Sequence, residues 1–191
     1  MWRLVMLGLM LSGPAMAESY RDIQDRKPEL FHAETGYRIG RQRAPTPEDI
    51  PGPALAVDAV QSRALIEAGG LALDVFGAAQ SRFDELDGTW LVREERHSLP
   101  GAVWLPEVGR GTLSETMQRY LAENLSALTE GDMARPIVVF CVADCWMSWN
   151  AAQRIVAMGH AHVYWFRLGT DGWLDEGWEL APVDPVPVTV D

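Results

Sequence analysis

The chain has 191 residues, 48% of them hydrophobic, and a formal net charge of −11. This length suits one domain with a hydrophobic core and is short for two full domains. Because the surface is acidic, the sequence disfavours nucleic acid and anionic lipid as partners, and basic proteins stay as candidates.

The first 17 residues have the pattern of a secretory signal peptide. Arg3 precedes an apolar run over residues 4–11, and small residues stand at Ala15 and Ala17. The apolar run is well short of the roughly 20 residues of a membrane-spanning helix, so we expect cleavage after Ala17. The sequence therefore predicts a periplasmic protein without membrane association after cleavage, in an oxidising compartment where neighbouring thiols tend to pair.

Residues 18–54 are predicted to form a polar N-terminal arm. They show little periodicity and end in a run with four prolines in ten residues, 44–53. Since proline removes a backbone donor and fixes φ, this run cannot sustain a helix. We expect an extended arm or linker ahead of the globular part.

Residues 55–182 are predicted to form the domain, because short apolar segments alternate there with helical patterns. Asp58 can cap a first helix that ends at Gly69 and Gly70, and Ser114 can cap a second that closes near Gly131. A third helix is predicted at about 148–158, and strands at 71–75, 102–104, 136–140 and 162–166.

This alternation predicts an α/β fold. Strands that alternate with helices form right-handed βαβ units, which give a mostly parallel sheet flanked by helices on both faces. Residues 183–191 are predicted to be an extended C-terminal tail, because prolines punctuate them and the residues just before.

The only two cysteines, Cys141 and Cys145, follow the predicted strand 136–140 directly. Ligands of open parallel sheets bind at the carboxyl ends of strands. The next helix would present N–H groups and its positive dipole end, which favour a thiolate, so Cys141 is a candidate nucleophile. A curled loop would bring Cys145 within disulfide distance as a resolving thiol. A permanent structural disulfide stays open, although so short a ring removes little entropy from the unfolded chain.

The residues around the cysteines have competing interpretations. Asp144 would raise the pKa of the neighbouring thiol if its carboxylate pointed inward, could carry a proton, or could be a turn residue only. Trp146 and Trp149 either cover the site or belong to the core. Arg154, two turns into the helix, is expected to be solvated.

A metal site is an alternative use of the cysteines. Cys141, Cys145 and Met147 are soft ligands that suit copper(I), with His160 and His162 further along the chain. The spacing matches neither a zinc pattern nor the haem signature CxxCH, and the histidines lie at the far end of the helix. We therefore expect neither a metal nor another cofactor.

Several segments occur in the order of a rhodanese-like domain. They are the strand 71–75, the turn 97–102, the strand, cysteine loop and helix at 138–155, and the segment 167–173. The resemblance covers roughly residues 55–182 and implies a rhodanese-like three-layer fold. Within that superfamily, the run CVADCWMSWNAAQR resembles the secreted PQQ-dependent catabolism-associated CXXCW motif proteins, found alongside quinoprotein alcohol dehydrogenases. Here the spacing is CxxxC followed by Trp.

The resemblance implies that Cys141 takes up a sulfane sulfur as a persulfide. The active loop would then contain Asp144 and Cys145, and its substrate-binding residues would be Val142, Ala143, Trp146, Met147 and Ser148. It implies small sulfur species as substrates, and a quinoprotein dehydrogenase or related periplasmic redox protein as partner.

Two departures from the rhodanese pattern bear on the substrate. The position two places after the strand aspartate, usually arginine in rhodaneses, is Phe76, and the loop carries Asp144 but no Lys or Arg. Both weaken anion binding and argue against thiosulfate as the donor.

Two functional hypotheses follow from the sequence. In the first, Cys141 attacks a sulfur, as a persulfide or mixed disulfide, and Cys145 releases it by closing the intramolecular disulfide. In the second, the cysteines form a silent disulfide in an accessory module that assists a quinoprotein dehydrogenase.

Overall fold

A computed structural model describes residues 18–78 and 82–190, so the predicted signal peptide lies outside the described residues. Five parallel strands form the central sheet, and two further strands pair antiparallel. In chain order the strands are β1 (Leu55–Val57), β2 (Leu71–Asp74), β3 (Arg96–Ser98), β4 (Val103–Trp104), β5 (Ile137–Phe140), β6 (Val163–Phe166) and β7 (Ala181–Val183). The order in the central sheet is β1-β6-β5-β2-β4.

The structure contains five α-helices, and α2 and α3 begin where the capping signals predicted. They are α1 (Tyr20–Arg26), α2 (Ala59–Glu67), α3 (Glu115–Thr129), α4 (Trp146–Ala157) and α5 (Gly169–Asp175). Asp58 and Gln61 form a capping box at the start of α2, and the Ser114 side chain accepts a hydrogen bond from Met117 N at the start of α3. Each cap satisfies a backbone donor that the helix itself leaves unpaired.

The sheet is covered on both faces, which confirms the predicted rhodanese-like α/β architecture. In β5, Ile137 and Val139 join the larger core cluster on one face, whereas Val138 and Phe140 join a smaller cluster on the other. All four side chains are fully buried. A strand buried on both faces reads as a continuous apolar run, as this one does.

Several details differ from the sequence predictions, which did not include β1, β3, β7 or α5. The N-terminal arm contains α1, β1 pairs with the edge of β6, and α4 begins two residues earlier than expected. The C-terminal tail is anchored: β7 pairs with β3, and Val188 N donates to Gly88 O at 2.9 Å. Val188 is consequently buried.

No helix among the described residues is both long and apolar enough to cross a bilayer.

Candidate functional site

Cys141 lies at the carboxyl end of β5, in the middle of the sheet, where the sequence predicted it. It forms a disulfide with Cys145, the residue that caps α4, and the two Cα atoms are 6.3 Å apart. Both side chains are buried, with exposed fractions of 0% and 1%. The oxidised pair is therefore closed to solvent.

Contacts with the start of α5 hold the loop after Cys141 in place. Thr170 N donates to Cys141 O at 3.1 Å, and Val142 forms a β-bridge with Gly169. Gly169 has φ +51°, and a Cβ there would come within 2.3 Å of the Cys141 carbonyl oxygen. Only glycine permits this close approach.

Asp171 occupies one of the loop's backbone donors. Its carboxylate accepts a hydrogen bond from Ala143 N at 2.7 Å. In an anion-binding loop that N–H would be available to a substrate oxygen. This N–H is therefore not available to a doubly charged sulfur donor. Together with the absence of Lys and Arg from the loop, this disfavours such a donor.

Asp144 is the turn residue of the loop. Its φ of 54° lies in the left-handed region, which aspartate tolerates better than most residues. Its side chain is exposed and accepts a 3.4 Å hydrogen bond from Thr46 N. The inward-pointing orientation is not observed, whereas a role of Asp144 in proton transfer stays a prediction.

The N-terminal arm pairs with the cysteine loop. Trp146 N donates to Gln42 O at 2.9 Å, and Ala44 N donates to Asp144 O at 3.0 Å, which together form an antiparallel bridge between Arg43 and Cys145. The first amide of α4 is thus engaged by the arm rather than by the sulfur. The arm covers the cysteines.

Aromatic packing fastens the arm to α4. Phe31 lies edge-on to Trp146 with ring centroids 5.6 Å apart, and Trp146 lies 5.1 Å from Trp149. Both tryptophans are fully buried. They are core residues that also form the docking surface for the arm.

Arg38 of the arm is buried against the same aromatic surface. Its guanidinium lies 4.6 Å from the Trp146 ring centroid, and burial lowers the pKa of Arg38 below its usual value. The Arg38 backbone exchanges two hydrogen bonds with the Asn150 side chain, at 2.8 and 2.9 Å. These contacts join segments more than a hundred residues apart in sequence, so no local pattern could have indicated them.

Of the remaining loop residues, Met147 and Ser148 lie in the first turn of α4 and are buried. Ser148 Oγ donates to Cys145 O at 3.1 Å and accepts from Trp165 Nε1 at 3.0 Å. Val142 and Ala143 are partly exposed. In this closed form, Val142, Ala143 and Asp144 are the parts of the predicted loop that a small molecule can reach.

A buried ion pair beside the site was missed by the sequence argument. Asp74, at the end of β2, is fully buried and accepts from Arg96 Nε at 3.0 Å and from Ser98 Oγ at 2.6 Å. Burial raises the pKa of Asp74, and the Arg96 charge opposes that shift. The Arg96 guanidinium stacks 4.4 Å from the Phe76 ring centroid. Rhodaneses usually carry an arginine at the position of Phe76. In this chain Arg96 of β3 supplies a positive charge beside that position instead.

The burial of Arg154 differs from the sequence prediction. The side chain is partly buried rather than solvated, and its guanidinium donates to the backbone oxygens of Val108 (2.7 Å), Arg110 (2.9 Å) and Gly111 (3.3 Å). The reason is that the loop 108–111 crosses this turn of α4.

Within residues 18–78 and 82–190, no group of three or more His, Cys, Asp or Glu side chains could hold a metal ion.

A cysteine at the carboxyl end of a central parallel strand, followed by a short loop and a helix, defines a class of α/β protein. The model of the rhodanese-like domain family matches residues 61–176, which is more than half of the chain. The chain belongs to this family. A search of curated proteins found no match.

Solved structures with a similar fold are distant in sequence. A thiosulfate sulfurtransferase from Pseudomonas aeruginosa is 20% identical over 72% of this chain and 21% of its own, with a TM-score of 0.44. A polysulfide-sulfur transferase from Wolinella succinogenes is 14% identical over 67% of this chain and 78% of its own, with a TM-score of 0.43. EanB bound to hercynine is 17% identical over 71% of this chain and 33% of its own, with a TM-score of 0.47.

Proposed function

We propose that the protein performs sulfur chemistry at Cys141, with Cys145 as the resolving thiol. One observation carries this proposal: Cys141 lies at the carboxyl end of β5 and is disulfide-bonded to the first residue before α4. That position combines the ligand-binding edge of a parallel sheet with a partner thiol close enough to close a ring.

The proposed cycle begins with reduction of the disulfide by an external dithiol. The Cys141 thiolate then attacks the outer sulfur of a persulfide or polysulfide donor, and the remaining thiolate of the donor leaves. This gives a Cys141 persulfide. The Cys145 thiolate next attacks Cys141 Sγ, hydrosulfide leaves, and the disulfide forms again. The sulfane sulfur gains the two electrons that the two thiols lose.

The loop favours a donor of low charge. The loop carries no Lys or Arg, and Asp171 already accepts the hydrogen bond from Ala143 N. A thiosulfate dianion would meet this carboxylate without a compensating positive side chain in the loop. We therefore propose persulfides or polysulfides as donors rather than thiosulfate.

Trapping the persulfide tests the proposal. The Cys145→Ser variant, reduced and mixed with glutathione persulfide, should gain one sulfur atom in its intact mass, because Cys141 can no longer be resolved. The Cys141→Ser variant, treated in the same way, is the matched control and should gain none. An unmodified Cys145→Ser variant, with its thiol shown to be free by alkylation, would contradict the proposal.

We further propose that the protein acts in the periplasm beside a quinoprotein dehydrogenase or a related redox protein. The signal-peptide pattern of residues 1–17 and the CVADCW run support this proposal. A fusion of residues 1–17 to alkaline phosphatase should give periplasmic activity. A fusion that stays inactive in the cytoplasm would contradict this location.

Burial of the cysteines favours a second candidate, a non-catalytic accessory module. The arm covers both sulfurs, as a purely structural disulfide would allow. In that case the double variant Cys141→Ala/Cys145→Ala should support growth on a quinoprotein substrate as well as the natural chain does, whereas deletion of the whole chain impairs it. A double variant that behaves like the deletion supports the thiol mechanism.

A further inference from the structure

A cavity of about 660 Å³ lies between the N-terminal arm, α3 and the second half of α4. This volume is within the range of roughly 300–1,000 Å³ typical of small-molecule sites. The cysteines and their loop do not line it. The cavity is therefore separate from the sulfur site.

One side of the cavity is apolar. Leu113 precedes α3, Leu121 and Ala122 belong to α3, and Met158 follows α4. Leu121 is fully buried beneath this side, so Leu113, Ala122 and Met158, which are partly exposed, provide the surface for a hydrocarbon or an aromatic ring. The flexible Met158 side chain can adapt to different ligand shapes.

Arg154, one helical turn before Met158 on α4, provides positive charge in the lining. Within the described part of the chain, its guanidinium donates to three backbone oxygens and lies over the Tyr37 ring, whose centroid is 4.5 Å away. Among the described residues, no Asp or Glu oxygen lies within 4.0 Å of its nitrogens. A partly buried charge without a counter-ion is costly, because carbonyl dipoles replace only part of its hydration. A bound anion would supply the missing charge.

His32 supplies a second donor. Its Nδ1 accepts hydrogen bonds from Glu34 N (3.3 Å) and Thr35 N (3.4 Å). The proton of the neutral imidazole must therefore be on Nε2, which is a donor. Because His32 also lines the cavity, this N–H is a candidate donor to a bound ligand.

The lining as a whole is positive, although the chain as a whole is acidic. Arg119 lines the cavity as well, but Glu115 and Glu123 lie one turn from it on either side along α3, so the argument rests on Arg154. No Asp or Glu of the described chain lines the cavity. The charge and the apolar surface therefore select the same class of ligand.

We propose that this cavity binds a small amphipathic organic anion. Its single carboxylate or sulfonate group lies at Arg154 and His32, and its apolar part packs against Leu113, Ala122 and Met158. The site is independent of the thiol chemistry, and binding involves no covalent step. Because Tyr37 and His32 belong to the arm, the ligand also contacts the segment that covers the cysteines.

Octanoate, 1-octanol and octylammonium are suitable probes, because they share one alkyl chain and differ in charge. Calorimetric titration of the full mature chain should show saturable binding of octanoate, at least tenfold weaker binding of 1-octanol, and no binding of octylammonium. Equal affinity for octanoate and 1-octanol, or no saturable binding of octanoate, would overturn the proposal.

Two variants locate the site. Arg154→Gln should weaken octanoate binding about tenfold or more, whereas Arg135→Gln should not, although Arg135 also donates to backbone oxygens, at Leu128 and Gly69. Ala122→Trp should abolish binding by filling the cavity, and it decides the matter if Arg154→Gln does not fold. Octanoate binding at wild-type strength to a folded Ala122→Trp variant would show that the ligand binds elsewhere.

Discussion

Asp74 is an ionisable residue that the fold has buried completely and compensated with one distant partner. The Asp74 carboxylate is fully buried, and its Oδ2 lies 2.8 Å from Arg96 Nη2. The Arg96 side chain is 12% exposed. Loss of one partner of a buried pair leaves the other charge without compensation. We expect the pair to be essential to stability although neither residue touches the cysteines.

Arg96→Ala should lower the free energy of unfolding by about 3 kcal/mol, because it leaves Asp74 buried and unpaired. Urea denaturation monitored by tryptophan fluorescence measures this. Arg63→Ala is the matched control: its ion pair with Glu67 is exposed and should contribute less than about 1 kcal/mol. Equal effects of the two variants would show that the buried pair has no special weight.

The shifted pKa of His160 should make the free energy of unfolding depend on pH. His160 is buried after the end of α4, and desolvation lowers its pKa below the ordinary value of 6.5, with Asp132 opposing the shift. The unfolded chain therefore takes up this proton more readily than the folded chain, so stability is lost as the pH falls below about 6.5. Between pH 7.5 and 5, urea denaturation should show a larger loss for the natural chain than for His160→Leu. An identical loss in both would mean that His160 does not contribute.

At the residue scale, the sequence predicts those site residues that a local pattern identifies. Cys141 could be placed because an apolar strand precedes it and a helix follows it at once. Arg96 and Asp171 could not, since their partners lie 22 and 28 positions away in the sequence. Only the order of strands in the sheet brings such residues together.

At the scale of elements, strong caps and long apolar runs gave correct predictions, and short elements were missed. β1 has only three residues and follows a proline run, so its sequence carries little periodicity. The helix α1 was missed although Ser19 and Asp22 form a capping box. That signal was available in the sequence, but no apolar stripe accompanied it.

The arm packs beside the disulfide, so we expect it to limit access to the sulfurs. Phe31 is 8% exposed and lies 5.6 and 6.4 Å from the centroids of Trp146 and Trp149. Replacement of a buried Phe by Ala typically costs about 3–5 kcal/mol. Because Phe31 belongs to the arm, much of that cost should weaken arm docking rather than the sheet.

Phe31→Ala should therefore accelerate reduction of the Cys141–Cys145 disulfide by dithiothreitol about tenfold or more, because local opening exposes the sulfurs more often. Thiol alkylation followed by intact mass gives the rate. Leu86→Ala, at a side chain that is 89% exposed, is the control and should match the natural chain. A Phe31→Ala rate equal to the control would mean that the arm does not limit access.

At the scale of the whole molecule, the chain is a rhodanese-like domain with additions at both ends. The family match covers residues 61–176, whereas the arm before it and the tail after it pack against the domain. The sequence predicted the architecture of the sheet but not the position of these additions, because their contacts depend on the completed surface. The arm turns an open strand-end loop into a covered one.

This arrangement makes the cysteine pair the central question for the molecule. A buried disulfide fits both a resting enzyme and a structural disulfide, and turnover separates the two. In the proposed cycle, each sulfur released must be matched by one disulfide formed, since the two thiols supply both electrons.

A single-turnover measurement tests whether each sulfur released is matched by one Cys141–Cys145 disulfide. The reduced natural chain is mixed with one equivalent of glutathione persulfide, and released sulfide and newly formed Cys141–Cys145 disulfide are quantified together. We expect equal amounts of sulfide and disulfide from the natural chain. In Cys145→Ser, the sulfur should stay on the protein without release of sulfide. Sulfide release without disulfide formation, or neither product from a fully reduced chain, would contradict it.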